Sequence, residues 1–72
     1  MKVDRISVES SNLASVGYDE DSSIMEVEFN DGSVYQYYSV PSYVFDELLT
    51  ASSKGKYFHK NVKEARYQYQ RV

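Results

Sequence analysis

Residues 24–41, with the sequence IMEVEFNDGSVYQYYSVP, decide how this chain folds. Between Met25 and Phe29 every second residue is apolar, a period typical of a strand with one buried face. Asn30-Asp31-Gly32 has the composition of a turn, in which Gly32 is free to adopt a positive φ. The β-branched and aromatic run from Val34 to Tyr38 favours a second strand. The segment therefore predicts a β-hairpin.

The length of the hairpin loop decides which side chains share a face. A two-residue loop would pair Phe29 with Val34, whereas a type I turn with Gly32 as the bulge would lengthen the loop to three residues. We favour the longer loop because it gathers the apolar residues on one face, and a slip of one residue would reverse every side chain. The pairs it predicts are Phe29 with Ser33, Val27 with Tyr35, and Met25 with Tyr37.

Length and composition indicate one small domain. A chain of 72 residues buries only about 60% of the surface that it exposes when unfolded. It has no cysteine, which excludes disulfides and thiolate zinc sites. No segment is long and apolar enough to span a membrane, and the first ten residues, MKVDRISVES, lack the apolar core of a secretory signal. We expect a cytoplasmic domain.

Tyrosine and charge are both unevenly distributed. There are eight tyrosines against three phenylalanines and no tryptophan, and an excess of amphipathic rings is typical of a binding face or an oligomer interface. Residues 1–50 carry ten acidic and two basic groups, whereas residues 51–72 carry six basic and one acidic. Either the two halves neutralise each other in the fold, or the basic half keeps a local field.

The flanking segments extend the hairpin. Residues 1–9 alternate weakly and predict an edge strand or an ordered arm. Leu13 to Tyr18 predicts a strand, in which Gly17 indicates a bulge or a close approach of backbone. A polar loop, Asp19 to Ser23, then joins it to the hairpin as a three-stranded meander. On this strand we expect one face to carry Ala14, Val16 and Tyr18.

Two helices follow the sheet. Pro41 suits a first helical turn, and the apolar period from it predicts an amphipathic helix to about Ala51, packed on the apolar face of the hairpin. Ser53 has the chemistry of an N-cap for a second helix, from Lys54 to about Val62. Residues 66–72 form an edge strand or a tail. The stripe of the first helix comprises Pro41, Val44, Phe45, Leu48 and Leu49, and the second helix turns Phe58 and Val62 inward.

An ordered set of motifs along the chain resembles the KTSC domain, a small bacterial and phage module that also occurs at the C-terminus of some lysyl-tRNA synthetases. The resemblance covers nearly the whole chain and implies an RNA-binding role without catalytic residues. The motifs that carry it are Gly17-Tyr18-Asp19, Met25-x-Val27-x-Phe29, Gly32, Tyr35-x-Tyr37, Val40-Pro41, Ser53-x-Gly55-x-Tyr57-Phe58 and Arg66-Tyr67.

Two clusters have the chemistry to bind a phosphate-bearing ligand. The first lies at the start of the second helix, where hydroxyls, a glycine and lysines accompany free N–H groups. The second combines rings with cations near the C-terminus, as single-stranded nucleic acid binding requires. Each cluster also has a purely structural interpretation. The first would be a serine-capped helix whose lysines face solvent, and in the second the tyrosines would pack on the sheet while the charges keep the protein soluble. The first comprises Ser52, Ser53, Lys54, Gly55 and Lys56; the second comprises Tyr57, His59, Lys60, Arg66, Tyr67, Tyr69 and Arg71.

The remaining candidates are weaker. Tyr35 and Tyr37 would stack bases on an open sheet face, but the favoured hairpin register turns them toward the first helix as core. Glu26 and Glu28 share a strand face at a spacing that glycosidases use and that any solvent-exposed strand also has. His59 is the only histidine, so we predict no metal site.

We predict an α+β fold: a three-stranded antiparallel β-meander followed by two short helices, with room for an extra edge strand from a terminus. We expect a non-catalytic module, without a cofactor, that binds RNA or another phosphate-bearing ligand. Two alternatives stay open: an oligomer that holds a nucleotide-like ligand between subunits, and a protein–protein adaptor. The residues expected to bind the phosphate or nucleic acid are Ser53, Lys54, Gly55, Lys56, Tyr57, Lys60, Arg66, Tyr67 and Arg71.

Overall fold

An antiparallel sheet organises the molecule, as seen in a computed structural model that describes residues 3–72. The strands are β1 (Arg5–Ser7), β2 (Leu13–Asp19), β3 (Ile24–Phe29), β4 (Val34–Tyr37) and β5 (Tyr69–Arg71), in the order β1-β2-β3-β4-β5. Helix α1 spans Ser42–Thr50; α2 spans Lys54–Phe58 and continues directly into a π-helical turn, His59–Lys63.

The predicted α+β class is confirmed, and the meander is wider than its three central strands because both ends of the chain add an edge strand. The alternatives for the ends, an arm and a tail, are therefore wrong for residues 5–7 and 69–71. Met1 and Lys2, which were part of the N-terminal prediction, lie outside the described residues. Within residues 3–72, no helix combines the length and the apolar character needed to cross a bilayer.

The three-residue turn predicted for the hairpin is confirmed. Val27 pairs with Tyr35 and Met25 pairs with Tyr37. The Phe29 N–H donates to the Ser33 carbonyl oxygen at 2.9 Å, which closes the loop. Gly32 has φ +91°, a conformation that glycine adopts without the steric cost of a side chain.

A bulge in β2 changes which of its residues face the core. The pairing with β3 shifts between Leu13 and Ser15, so Ala14 is an extra residue on that strand. As a result Leu13 and Val16 both lie in the core, at 1% and 0% exposure. The prediction that Ala14 shares the core face with Val16 is wrong, because a strict alternation across positions 13–16 takes no account of the inserted residue.

The other face of the sheet carries a row of paired residues that crosses all five strands. Glu26, in the middle of this row, is only 7% exposed. Its carboxylate accepts hydrogen bonds from Arg5 Nη1 at 2.5 Å and from Gln36 Nε2 at 2.9 Å. The expectation of a solvent-exposed strand is therefore wrong for Glu26. The row consists of Arg5, Gly17, Glu26, Gln36 and Gln70.

Gly17 lets the N-terminal segment lie directly on the sheet. A Cβ at this position would be 2.3 Å from the Asp4 carbonyl oxygen and 2.9 Å from Val3 Cγ1. The close backbone approach predicted at Gly17 is thus confirmed. Arg5 pairs with Gly17 on β2, and its side chain passes to Glu26 on the next strand.

The helices cover the opposite face of the sheet incompletely. Val44 and Leu48 of α1 are buried, and Phe45 stacks on Tyr18 with ring centroids 5.6 Å apart. Phe58, at the end of α2, meets the Tyr37 ring edge-on at 5.4 Å. The prediction that the first helix covers Tyr35 and Tyr37 is therefore wrong in its detail, because the aromatic cover of Tyr37 comes from the second helix.

Replacing Gly17 with alanine should dislodge β1. The added methyl group overlaps backbone rather than a flexible side chain, so we expect about 1–3 kcal/mol of destabilisation, measured by thermal denaturation. Faster amide exchange at Arg5–Ser7 should accompany it. Gly55→Ala is the matched control: its Cβ meets side chains and no backbone, with Asn12 Nδ2 at 3.1 Å and Ser10 Oγ at 3.7 Å, and alanine favours a helix. Equal losses in the two variants would contradict this account.

Candidate functional site

An open groove lies where the helices stop covering the sheet. Its floor is formed by β4 and β5, its wall by α2 and the π-helical turn, and its end by the loops that carry Asn12 and Asp31. The volume of about 1380 Å³ exceeds the roughly 300–1,000 Å³ usual for small-molecule pockets. The groove is therefore an open depression of the surface rather than an enclosed pocket.

Aromatic rings form the floor of the groove, and they differ in how much of each ring is exposed to solvent. Tyr37 is buried, at 4% exposure, whereas Tyr69 on the edge strand is 63% exposed. The Tyr69 ring lies 5.5 Å from that of Tyr37 and 5.9 Å from that of Tyr35. Phe29 supports Tyr35 from the other side at 5.7 Å. Buried rings thus hold Tyr69 in place while leaving much of its surface available.

The π-helical turn brings a lysine over this floor. In an α-helix, five residues would carry Lys63 about 140° around the axis from Phe58. The wider π turn, with its i→i+5 hydrogen bonds, reduces this rotation, and the Glu64 N–H donates to the His59 carbonyl oxygen at 3.0 Å. The Lys63 Nζ lies 5.8 Å from the Phe29 ring centroid and 6.0 Å from that of Phe58, within cation–π range.

Arg66 adds a second cation to the wall of the groove, where it lies beside Tyr67. It has φ +61°, and its N–H donates to the Lys63 carbonyl oxygen at 3.2 Å. Neither of the ion pairs within residues 3–72 involves Arg66. Those pairs, Arg5–Glu26 and His59–Glu64, also do not join the acidic half of the chain to the basic half.

Among the residues that line the groove, Asp31 carries the one carboxylate, and this carboxylate is already hydrogen-bonded. Asp31 Oδ1 accepts hydrogen bonds from the Ser33 hydroxyl at 2.6 Å and from the Ser33 N–H at 2.9 Å. These bonds, with a smaller contribution from the charge of Arg71, lower the pKa of Asp31. Arg71 pairs with Tyr35 across β4 and β5. Its positive charge is thus partly offset by Asp31.

The structure divides the predicted site residues into two groups. One group lines the groove, and the other does not. In the second group the Ser53 hydroxyl accepts from the Lys56 N–H at 3.4 Å, and Lys54 Nζ donates to the Ala51 carbonyl oxygen at 3.3 Å. The groove-lining group is Tyr35, Tyr37, Gly55, His59, Arg66, Tyr67 and Tyr69; the other is Ser53, Lys54, Lys56, Tyr57, Lys60 and Arg71.

Tyr57 and Tyr67 are both partly buried against the core. The Tyr57 hydroxyl donates to Glu47 at 2.5 Å and so joins α2 to α1. Burial is the largest cause that raises the pKa of Tyr57, and the hydrogen bond to Glu47 is the second largest. Burial also raises the pKa of Tyr67. Tyr57 therefore acts as a link between the helices, whereas Tyr67 borders the groove.

Sequence reasoning missed Lys63, Phe29 and Asn12 as groove residues. The predicted second helix runs to about Val62 with an α-helical period, whereas residues 59–63 form a π-helical turn. Asn12 lies against α2 at Gly55, where its Nδ2 would be 3.1 Å from an added Cβ. Within the part of the chain that the structure describes, no cluster of three or more His, Asp or Glu side chains is arranged to hold a metal ion.

Comparisons with known proteins agree on one family. The model of the KTSC domain matches residues 9–69. An uncharacterized protein of Stutzerimonas stutzeri is 43% identical over 68 residues, covering 94% of this chain and 96% of that protein. The crystal structure of a KTSC domain protein from Yersinia pestis superposes with a TM-score of 0.89 at 31% identity, covering 99% of both chains.

The domain also occurs within a larger protein. A lysine–tRNA ligase of Trichormus variabilis is 39% identical over 64 residues, which cover 89% of this chain but only 11% of the ligase. The similarity therefore concerns a small part of the ligase.

The ionisation of Tyr37 should make stability fall at high pH. Burial raises its pKa to about 12 from the ordinary 10.0, so the folded state holds the phenolic proton more tightly than the unfolded state. This contribution to stability is complete below pH 10.0 and is lost as the pH rises through about 12. We expect Tm to fall less steeply over that interval in Tyr37→Phe than in the wild type, by circular dichroism. Identical slopes in Tyr37→Phe and the wild type would contradict the assignment.

Proposed function

This chain belongs to the KTSC domain family, and we propose that it is a non-catalytic module that binds single-stranded RNA in the groove between β5 and the π-helical turn. The observation that carries the proposal is the juxtaposition of an exposed, supported ring, Tyr69, with two cations, Lys63 and Arg66, on one groove. Proteins that bind single strands combine these two elements: rings that stack on bases, and positive charge that follows the backbone.

The shape and charge of the groove favour a strand over a free nucleotide. The groove is open and extends from the Asn12 loop to Tyr69, so several nucleotides have room along it. Lys63 has the groove rings beneath it rather than a carboxylate, which leaves its charge available. A polymer would use these features at successive positions, whereas a mononucleotide would use only one or two.

The relatives supply a second line of support. Part of a lysine–tRNA ligase is similar to nearly all of this chain, so a domain of this type occurs in a protein named for an RNA substrate. We also propose a cytoplasmic location, which the absence of cysteine fits. We assign no catalytic step to the groove; its imidazole, His59, is exposed, and its Nε2 lies 3.2 Å from Glu64 Oε2.

Removing the exposed ring of the floor should weaken binding. For Tyr69→Ala we expect a loss of roughly 1–3 kcal/mol, the contribution of one stacked base, measured by fluorescence anisotropy with labelled decauridylate and decaadenylate. Tyr43→Ala is the matched control, because Tyr43 is 60% exposed against 63% for Tyr69 and does not line the groove.

The same titrations at low and at physiological salt test the cations. Lys63→Gln should reduce the slope of log K against log salt by about 0.7, the value for one phosphate of a single strand. Equal losses for Tyr69→Ala and Tyr43→Ala, or no binding by the wild-type protein at low salt, would overturn the proposal.

A further inference from the structure

The geometry points to Arg66 as the residue of the groove that contacts the RNA phosphate, held for that purpose in a backbone conformation that lowers the stability of the fold. This inference rests on the proposed function and adds to it the identity of the phosphate-binding residue and the reason for its placement. Three observations lead to it: the backbone angle, the side chain without an acidic partner, and the position on the groove.

The backbone at Arg66 favours a different residue type. Its φ of +61° lies in the left-handed region, which is sterically unfavourable for residues with a Cβ. At the end of a helix this position is most often glycine, sometimes asparagine. Arginine brings neither the freedom of glycine nor the short polar side chain of asparagine. A residue that relieves the strain would therefore improve the fold at this point.

The side chain of Arg66 shows no structural task that would explain its presence. It is exposed, and neither ion pair within residues 3–72 includes it. Glu64, the acidic residue nearest in sequence, is engaged with His59. The contribution of Arg66 to the turn is its backbone N–H, which any residue other than proline supplies.

The position of Arg66 supplies a task. Arg66 lines the groove together with Lys63, Tyr67 and Tyr69, so a strand stacked on Tyr69 would carry its phosphates past two cations. Guanidinium is planar and binds phosphate through two parallel hydrogen bonds. Strained backbone often occurs at functional sites, where a contact is gained at the expense of stability.

The test compares stability and binding in the same variants. For Arg66→Gly we expect a Tm higher by about 4 °C together with about tenfold weaker binding of labelled decauridylate. Ser39→Gly is the control for strain, because Ser39 has φ +57° and does not line the groove; its Tm should rise while its affinity stays at the wild-type value. Arg66→Lys, which keeps the charge and the backbone strain, should keep the wild-type Tm and bind between the wild type and Arg66→Gly.

Two results would overturn the inference. A lower Tm for Arg66→Gly would show that the side chain stabilises the fold, and an unchanged affinity would show that it does not contact RNA. If Tyr69→Ala weakens binding while Arg66→Gly does not, this inference fails and the proposed function stands. If the wild-type protein binds no RNA, both fail.

Discussion

The turn at Asn30-Asp31-Gly32 sets the register on which the rest of the structure depends. Because side chains alternate along a strand, the length of this one loop decides which face of β4 meets the helices. With three residues in the loop, Tyr35 and Tyr37 lie on the face that the helices partly cover, and Glu26 lies in the polar row of the other face. A loop one residue shorter would pair Tyr35 and Tyr37 with Glu28 and Glu26 on the face away from the helices, and would turn Val34, Gln36 and Tyr38 toward the core. Both the core and the aromatic floor of the groove follow from the conformation of Gly32.

The two faces of the sheet differ in how they are covered and in the residues that they bury. On one face, Gly17 leaves space for the N-terminal segment, and Arg5 and Gln36 satisfy the buried Glu26 carboxylate. This matters because a buried charge without partners is strongly destabilising. On the other face, the helices are too short to cover five strands, so the apolar side of β5 remains open beside the π-helical turn. The open groove is thus a consequence of the width of the sheet relative to its helical cover.

Local sequence patterns predicted the features that depend on local physics. The hairpin register, the apolar stripe of α1 and the Ser53 cap each follow from the period or chemistry of a few adjacent residues. The bulge at Ala14 and the pairing of β5 with β4 depend on partners distant in sequence, and no short window contains them. The same limit applied to the residues that line the groove. Most of its tyrosines were named as candidates from composition, but Phe29 was not, and Lys63 was missed because nothing in HKNVK distinguishes a π turn from an α-helix.

The path of the chain also determines the order in which the molecule can assemble. Four strands follow one another through short connections, whereas β5 reaches β4 only after the whole stretch from Tyr38 to Gln68, which contains both helices. Since contacts close in sequence form faster than distant ones, the outer edge of β4 should remain bare until late in folding. A bare edge is a template for pairing with another chain. The groove is therefore expected to be the last region to form, and its opening the first step of local unfolding.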